Sequence, residues 1–469
     1  MSNTLLHNAD WIITMDEKRT KLRHADILFE DNKIVAVGPD LSASHVYDEK
    51  IDAQGMIIIP GLINTHHHCW QSLVRNIHVA NGLTLEPWLA VVYEIFQEIT
   101  PDVVEAGAYV GLGALLKTGC TTSMDHHYAH PRSEKNLIDV QIKAAQKLGI
   151  RFHPTRGSMS ISKSEGSHVP DSLAGDIDDI LADSERLIQT YHDPEKFSMV
   201  RMGLAPCWHE FDSKKEVLDG SVALAHKYKG VKLHTHLAES RAEVTRAIEK
   251  YGCRPVEHMR RIGWLGEEFY FAHCVQLNDE EVALLAQTKS GVAHCPASNM
   301  FLNSGVCRVS DLLAAGGRVG LGVDGAASNN ASDMIGEMRI SYLANRLQYG
   351  YNAPTAEQIL EISTIGGARV LGREDDLGSI EVGKAADLVL LNWDQLDYAG
   401  GKNDPIAMIV ESGDSRMVDM VFVNGRMVVK QGELLTVDEK ATRDYVNTTG
   451  KDMLSRAAAR VPGLEIDCH

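Results

Sequence analysis

The two ends of the chain carry short runs in which apolar and β-branched residues dominate or alternate with polar ones. Near the start these runs are LLHNADWIITM and ADILFEDNKIVAVG, and the polar segment EDNK inside the second run predicts a hairpin turn. Near the other end GKAADLVLLNW and MVDMVFVNGRMVVKQGE have the same pattern, and Asn424-Gly425 marks a second hairpin. The two distant ends are therefore expected to contribute strands to one sheet.

Between the ends, short apolar runs alternate with helical stretches. The runs include GCTTSMDHHY, GIRFHPTRG, GVKLHTHLAES, FYFAHC, GVAHCP and RVGLGVDG. This alternation favours an α/β fold with a parallel (β/α)8 barrel, in which the loops after the strands build the active site. A doubly wound open sheet is the alternative, but the Gly-rich phosphate loop that usually follows its first strand is absent from the sequence, and GAYVGLGALL reads as a closely packed helix.

Composition and charge narrow the class of protein. With 469 residues, 44% of them hydrophobic and 23% charged, the chain has the make-up of a globular enzyme or binding protein. A net charge of -18 disfavours nucleic acid and anionic membranes as partners. The start MSNTLLHNAD does not resemble a signal peptide, and no apolar run approaches the length of a membrane span, so we expect a cytoplasmic protein.

The segment PGLINTHHHCW places three histidines directly after an apolar run. Alternate residues of a strand point to the same side, so His66 and His68 face together and His67 faces away. The pair alone has a plain alternative as surface or core histidines, because histidine is common in both places. A metal site needs further ligands from elsewhere in the chain.

Other strand ends offer such ligands. His236 lies near the end of the run VKLHTHL, and Glu239 follows it. His273 lies near the end of FYFAHC, and Asp324 ends VGLGVD. Each has a structural alternative, such as a satisfied polar group or an Asp-Gly turn. Three histidines and one carboxylate, with room for water, are typical of a catalytic rather than a structural metal site, and zinc or iron(II) would fit. The predicted ligands are His66, His68, His236 and Asp324.

The motifs PGLINTHHH, HTHLAE, AHC and GLGVDGAASNN, in this order, resemble the amidohydrolase superfamily in its cytosine-deaminase-like and triazine-hydrolase branch. Within that branch the sequence looks most like 8-oxoguanine deaminases and then triazine hydrolases. The resemblance implies a catalytic barrel over residues 61–371 and a β-sandwich composed of residues 1–60 and 372–469. It also implies one divalent metal ion per subunit, with Zn²⁺ favoured and Fe²⁺ as the alternative, and a homo-oligomer, by analogy a dimer. Some members of the superfamily hold two metals bridged by a modified lysine on the fourth barrel strand. The corresponding run here, SMVRMGLAPC, carries no lysine, so one metal is expected.

The resemblance also implies a mechanism. A divalent metal lowers the pKa of its bound water from about 15.7 toward 7, and Asp324 would accept the proton. Glu239 would protonate a ring nitrogen, which requires a pKa raised by burial, while His273 would orient the attacking oxygen. The predicted function is a hydrolytic deaminase of an amino-substituted N-heterocycle that releases ammonia. An s-triazine hydrolase and a non-catalytic scaffold are the alternatives.

The substrate is the least determined part of the prediction. The resemblance suggests contacts from four residues, for which core packing, strand support or a turn are the plain alternatives: Gln71, Trp88, His126 and Asn299. The sequence departs from 8-oxoguanine deaminases at APCWHEF, where those enzymes tend to carry Cys-Ser-Pro-Phe. Either Trp208 and His209 lie outside the pocket, or they change its wall and the substrate is not 8-oxoguanine.

Overall fold

The computed structural model describes residues 3–207 and 212–466. Within these residues the strands form two sheets, one of eight strands and one of nine. The strands are β1 (Asn3–Ile13), β2 (Lys21–Glu30), β3 (Lys33–Gly38), β4 (Glu49–Asp52), β5 (Met56–Pro60), β6 (Leu62–Asn64), β7 (Cys120–His127), β8 (Arg151–Ser158), β9 (Gly203–Pro206), β10 (Lys232–Leu237), β11 (Phe269–His273), β12 (Gly291–His294), β13 (Arg318–Leu321), β14 (Leu388–Asn392), β15 (Val418–Val423), β16 (Arg426–Lys430) and β17 (Glu433–Leu434).

Helices separate most strands of the middle part of the chain and cover the outside of its sheet. The α-helices are α1 (Leu41–Ser44), α2 (Leu85–Phe96), α3 (Pro101–Lys117), α4 (Leu137–Leu148), α5 (Ile177–Tyr191), α6 (Lys215–Lys227), α7 (Arg241–Tyr251), α8 (Pro255–Arg261), α9 (Asp279–Thr288), α10 (Pro296–Phe301), α11 (Val309–Ala314), α12 (Ala326–Asn329), α13 (Met334–Tyr349), α14 (Ala356–Ser363), α15 (Ile365–Leu371), α16 (Pro405–Ala407) and α17 (Glu439–Ala457).

The eight-stranded sheet is a parallel barrel. Its strands lie in chain order from β6 to β13, and every neighbouring pair is parallel. The last strand meets the first, because the backbone N–H and the hydroxyl of Thr65 each donate to the carbonyl of Leu321 at 2.9 Å. Val323 N donates to Asn64 Oδ1 at the same junction. The predicted (β/α)8 barrel is confirmed, and its strand ends form one rim.

The nine-stranded sheet contains strands from both ends of the chain, as the sequence pattern predicts. Its order is β17-β16-β15-β14-β5-β1-β2-β3, with β4 paired to β1. Both predicted hairpins are present, and the turn residues Asn424 and Gly425 have the positive φ angles that suit a tight hairpin. Phe29 of β2 packs edge-on against Phe422 of β15, with ring centroids 5.6 Å apart, although three strands separate them in the sheet. The sheet therefore folds over on its own core like a sandwich.

Close packing of α3 places the segment that follows β6. Gly107 lies so near this segment that a Cβ atom there would be 2.6 Å from Cα of Trp70. Thr100 caps the helix, its hydroxyl accepting from Val103 N, and Pro101 occupies the first turn. The helix predicted for GAYVGLGALL thus uses small residues to hold the histidine-bearing loop against the barrel.

A buried ion pair joins the barrel to the terminal sheet. The Arg151 guanidinium on β8 donates to both oxygens of Asp387, at 3.1 and 3.0 Å, and to the carbonyls of Phe197 and Ser198 at 2.7 Å. Arg151 is fully buried. Helix α17 also contacts this part of the molecule, because Arg456 on α17 forms an ion pair with Glu98, between α2 and α3, at 2.8 Å. The domain division at residues 60/61 and 371/372 stays a prediction.

None of the helices in the described residues is long and apolar enough to cross a bilayer.

Replacing Arg151 by Met should leave the buried carboxylate of Asp387 without its cation. We expect the free energy of unfolding to fall by about 3–5 kcal/mol in a urea titration. The control is Lys215→Met, which removes an exposed pair with Asp219 and should cost less than about 1 kcal/mol. Equal losses in the two variants would contradict a joining role for Arg151.

Candidate metal centre and active site

The four predicted metal ligands meet at the carboxyl-terminal rim of the barrel. His66 and His68 follow β6, His236 lies on β10, and Asp324 follows β13. The Nε2 atoms of His66 and His68 lie 3.2 and 3.3 Å from Asp324 Oδ1, and His68 Nε2 lies 3.2 Å from His236 Nε2. Residues far apart in the sequence thus bring three ring nitrogens and a carboxylate oxygen together.

His67 lies on the other side of its segment, as strand parity predicts. Its Nδ1 accepts the backbone N–H of His68 at 2.7 Å, and its Nε2 contacts the hydroxyl of Ser332 at 3.2 Å. His67, Cys69 and Asp125 form another buried group of residues of metal-ligating types, and their possible ligand atoms lie within 4.8 Å of one another. The outer two histidines of the triplet are the ones that face the cluster.

The cluster fits a divalent metal. His66 Nε2 is buried and makes no hydrogen bond to any residue that the structure describes. Burial lowers the pKa of His66, His68 and His236, so the imidazoles are neutral and offer lone pairs. A ring nitrogen of His126 lies within 4.8 Å of those of the three histidines. Imidazole nitrogens with one carboxylate are a donor set that suits zinc or iron(II).

Asp324 is held as an ionised ligand. Its Oδ2 accepts the hydroxyls of Ser298 at 2.5 Å and Ser328 at 3.2 Å, and its Oδ1 accepts the N–H of Gly325 at 2.7 Å. Burial raises the pKa of Asp324, but the polar contacts with the surrounding rings of His66, His273 and His68 outweigh this, so the pKa lies well below its usual value. Asp324 also has φ of 63°, a strained backbone conformation that is characteristic of functional sites.

Glu239 and His273 form an acid–base pair beside the cluster. His273 Nε2 lies 3.5 Å from Glu239 Oε2 and 4.0 Å from Asp324 Oδ2. Burial raises the pKa of Glu239 to about 7, so near neutral pH this carboxyl group exists in both protonation states. Burial lowers the pKa of His273, but the charges of Glu239 and Asp324 more than compensate and the pKa lies above its usual value. The pair has the properties needed to hold and move a proton.

A cleft of about 580 Å³ opens in front of the cluster and the acid–base pair. Gln71 and Trp88 both line it. Gln71 Nε2 donates to Tyr128 Oη at 3.4 Å, while its Oε1 is buried without a hydrogen-bond partner among the described residues. The amide oxygen of Gln71 is thus enclosed within the wall of the cleft, beside Gly325.

His126 and Asn299 contact the metal-ligand and acid–base residues and are not among the described residues that line the cleft. The carbonyl of His126 accepts His68 Nδ1–H at 2.6 Å, and its own Nε2–H donates to the carbonyl of Ala205 at 2.7 Å. Asn299 Oδ1 accepts His273 Nδ1–H at 2.8 Å. Substrate contact by these two residues stays a prediction.

The predicted wall residues Trp208 and His209 lie outside the described residues. Several residues that shape the site are absent from the predicted site residues. His234 precedes His236 by two positions and Tyr128 follows His126 by two, so strand parity could have indicated both. Asp212, which lines the cleft, lies between β9 and α6, beyond the strand end to which parity applies, and gives no such signal.

The sequence matches the Amidohydrolase family over residues 57–428. The chain belongs to this family. It is 39% identical over 413 residues to an 8-oxoguanine deaminase of Pseudomonas aeruginosa, covering 88% of this chain and 91% of that protein. It is 36% identical over 453 residues to a hydroxydechloroatrazine ethylaminohydrolase of Pseudomonas sp. (strain ADP), covering 94% and 93%.

The solved structures agree with the sequence comparison. A crystal structure of atrazine chlorohydrolase from Arthrobacter aurescens TC1 complexed with zinc superposes with a TM-score of 0.88 at 32% identity, covering 98% of this chain and all of that one. The resemblance found in the sequence motifs is confirmed. As a member of this family with deaminase relatives, the chain is a hydrolase of C–N bonds in cyclic amidines.

Replacing His236 by Ala should remove one ligand from the cluster. We expect zinc bound per subunit, measured by atomic emission after gel filtration, to fall from about one to well below half. The control is His226→Ala, which removes an exposed histidine on α6 and should leave the zinc content unchanged. Full zinc content in the His236 variant would contradict its role as a ligand.

Proposed function

We propose that this protein is a zinc-dependent aminohydrolase that releases ammonia from an amino-substituted N-heterocycle of the oxopurine kind. The observation that carries the proposal is the placement of Glu239. Its buried carboxyl group, with a pKa of about 7, lines the cleft beside Asp324, which contacts His66 and His68, and beside His236, which contacts His68. Hydrolysis of the bond between a ring carbon and its amino group needs a proton donor and acceptor at this place.

The ligands of the metal would be His66, His68, His236 and Asp324. A divalent cation in this position would supply a nucleophile from water at neutral pH. The ionised carboxylate of Asp324 can accept the proton that the water loses, and the hydroxyls of Ser298 and Ser328 hold this carboxylate in place. The ligand set thus provides both the activation of water and a place for its proton.

Glu239 delivers a proton to the substrate in this proposal. Its carboxyl group lines the cleft, with Oε2 3.5 Å from His273 Nε2, and so borders the space that a ring nitrogen of the substrate would occupy. His273, whose Nδ1–H is fixed by Asn299, directs Nε2 toward Glu239 and Asp324 and can orient the attacking oxygen between them. Asp324 can then pass its proton to the leaving amino group, and Glu239 can take up the hydroxyl proton of the attacked carbon, so that ammonia leaves, a carbonyl forms and both carboxyl groups return to their starting states. No covalent bond to the enzyme is required.

The charge of the cleft supports a neutral substrate with N–H groups. Three carboxyl groups line the cleft, those of Asp212, Glu239 and Asp324, and its described lining contains no lysine or arginine. The metal of the proposed site would offset two of these negative charges, and ring N–H groups of a neutral heterocycle can donate to the carboxylate of Asp212. A small-molecule heterocycle is the partner that these walls suit. A cytoplasmic location and a dimer stay predictions.

A second candidate is hydrolysis of a substituted s-triazine. It is supported by the relative named as a hydroxydechloroatrazine ethylaminohydrolase and by the fold similarity to a zinc-containing atrazine chlorohydrolase. The same residues would serve, because the ring carbon is attacked in the same way and only the leaving group differs.

A product screen separates the candidates. The zinc-loaded protein is incubated with oxopurines, pterins, aminopyrimidines and s-triazines, and ammonia, alkylamine and chloride are measured separately. We expect ammonia from an amino-substituted oxopurine or pterin ring. Release of alkylamine or chloride only would favour the triazine candidate, and zinc binding without any turnover would support a scaffold.

Replacing Glu239 by Gln should keep zinc but remove the proton donor. We expect kcat to fall by about 10²–10⁴-fold with zinc content unchanged, since general acid–base catalysis contributes an effect of this size. Glu243→Gln is the comparison, because its buried carboxylate accepts backbone N–H groups of Ala238 and Glu239 and does not line the cleft. A Glu239 variant with wild-type kcat would remove this residue from the mechanism.

A further inference from the structure

His234 lies directly behind His66, on the side away from the cleft. It is fully buried on β10, two positions before His236. Its Nε2 lies 2.9 Å from His66 Nδ1, and its Nδ1 lies 3.0 Å from the carbonyl oxygen of Tyr270. The ring also stacks on that of Tyr270, with centroids 4.2 Å apart. A chain of contacts therefore runs from a metal-ligand histidine to a backbone carbonyl of β11.

The carbonyl oxygen of Tyr270, where this series of contacts ends, determines the direction of the hydrogen bonds. A carbonyl oxygen can only accept, so His234 Nδ1 carries the hydrogen. A doubly protonated ring would place a charge in a fully buried group of imidazoles, which is costly, so His234 Nε2 is the lone pair. His66 Nδ1 must then donate to it. The remaining lone pair of His66 is on Nε2, the atom that faces Asp324 and lacks a hydrogen-bond partner among the described residues.

We propose that His234 is a positioning residue that fixes His66 as the tautomer with its proton on Nδ1, so that Nε2 is permanently available to the metal. The inference rests on the metal site of the proposed function. His68 reaches the same state by a different route, since its Nδ1–H donates directly to the carbonyl of His126 at 2.6 Å. The second ligand thus depends on a backbone group and the first on a replaceable side chain.

This difference makes the role of His234 accessible to mutation. Outer hydrogen-bond partners of ligand histidines typically contribute 10–100-fold to metal affinity. Without His234, the Nδ1–H of His66 loses its acceptor, and the ring is free to move its proton to Nε2, where it would block the lone pair. A purely structural role would instead give loss of stability with the zinc affinity unchanged.

The test compares three variants by zinc affinity, measured by competition with a chromophoric chelator, and by thermal midpoint. His234→Leu removes the acceptor and should weaken zinc binding by about 10–100-fold. His234→Gln, whose side-chain oxygen can reach the place of Nε2, should restore most of the affinity. The matched control is His127→Leu. His127 is equally buried, and its ring nitrogens have no hydrogen-bond partners in the described structure. The zinc affinity of the His127 variant should therefore equal that of the wild type.

The outcomes separate this inference from the proposed function. A wild-type protein that binds no zinc overturns the metal site and the inference with it. Tight zinc binding by wild type and by His234→Leu alike overturns the inference alone, as does an equal loss of affinity in His127→Leu. Should His234→Leu fail to fold, neutron diffraction of the zinc-loaded wild type decides: deuterium on His66 Nδ1 and His234 Nδ1 is expected, and deuterium on His234 Nε2 contradicts the proposal.

Discussion

The constraint on which the site depends is the burial of one carboxylate among imidazoles at the mouth of the barrel. Asp324 is 4% exposed and ionised, and the ring nitrogens of His66 and His68 lie within 3.3 Å of it. A buried charge is costly unless it is paired, and neutral imidazoles pair it only weakly. A divalent cation shared by these groups would balance the charge and use their lone pairs, which would explain why neutral rings face an ionised carboxylate.

The scaffold holds this arrangement at several points. The strand end of β7 grips the histidine segment, since Cys69 N donates to Asp125 Oδ1 at 2.6 Å and His126 N donates to the carbonyl of His67 at 2.7 Å. Gln141 of α4 holds the other oxygen of Asp125 at 2.7 Å. Rigid strands and their hydrogen-bonded partners therefore fix the ligands, as a site with demanding geometry requires.

Most of the fold and the centre of the site could be predicted from the sequence because they follow from strong periodic signals. Alternation in the strands gives the barrel, and parity separates His66 and His68 from His67. The outer contacts could not be predicted, because Ser298 and Ser328 reach Asp324 from α10 and α12 and sequence spacing does not determine how two helices after different strands converge. The position of Asn299, behind His273 and away from the cleft lining, likewise depends on tertiary packing.

The central claim is that one cation binds between these four groups, and anomalous diffraction tests it most directly. Crystals of the protein grown with zinc are measured on both sides of the zinc absorption edge. The account predicts a single strong anomalous peak in bonding contact with His66, His68, His236 and Asp324. A map with no peak there, or with its only peak among His67, Cys69 and Asp125, would contradict it.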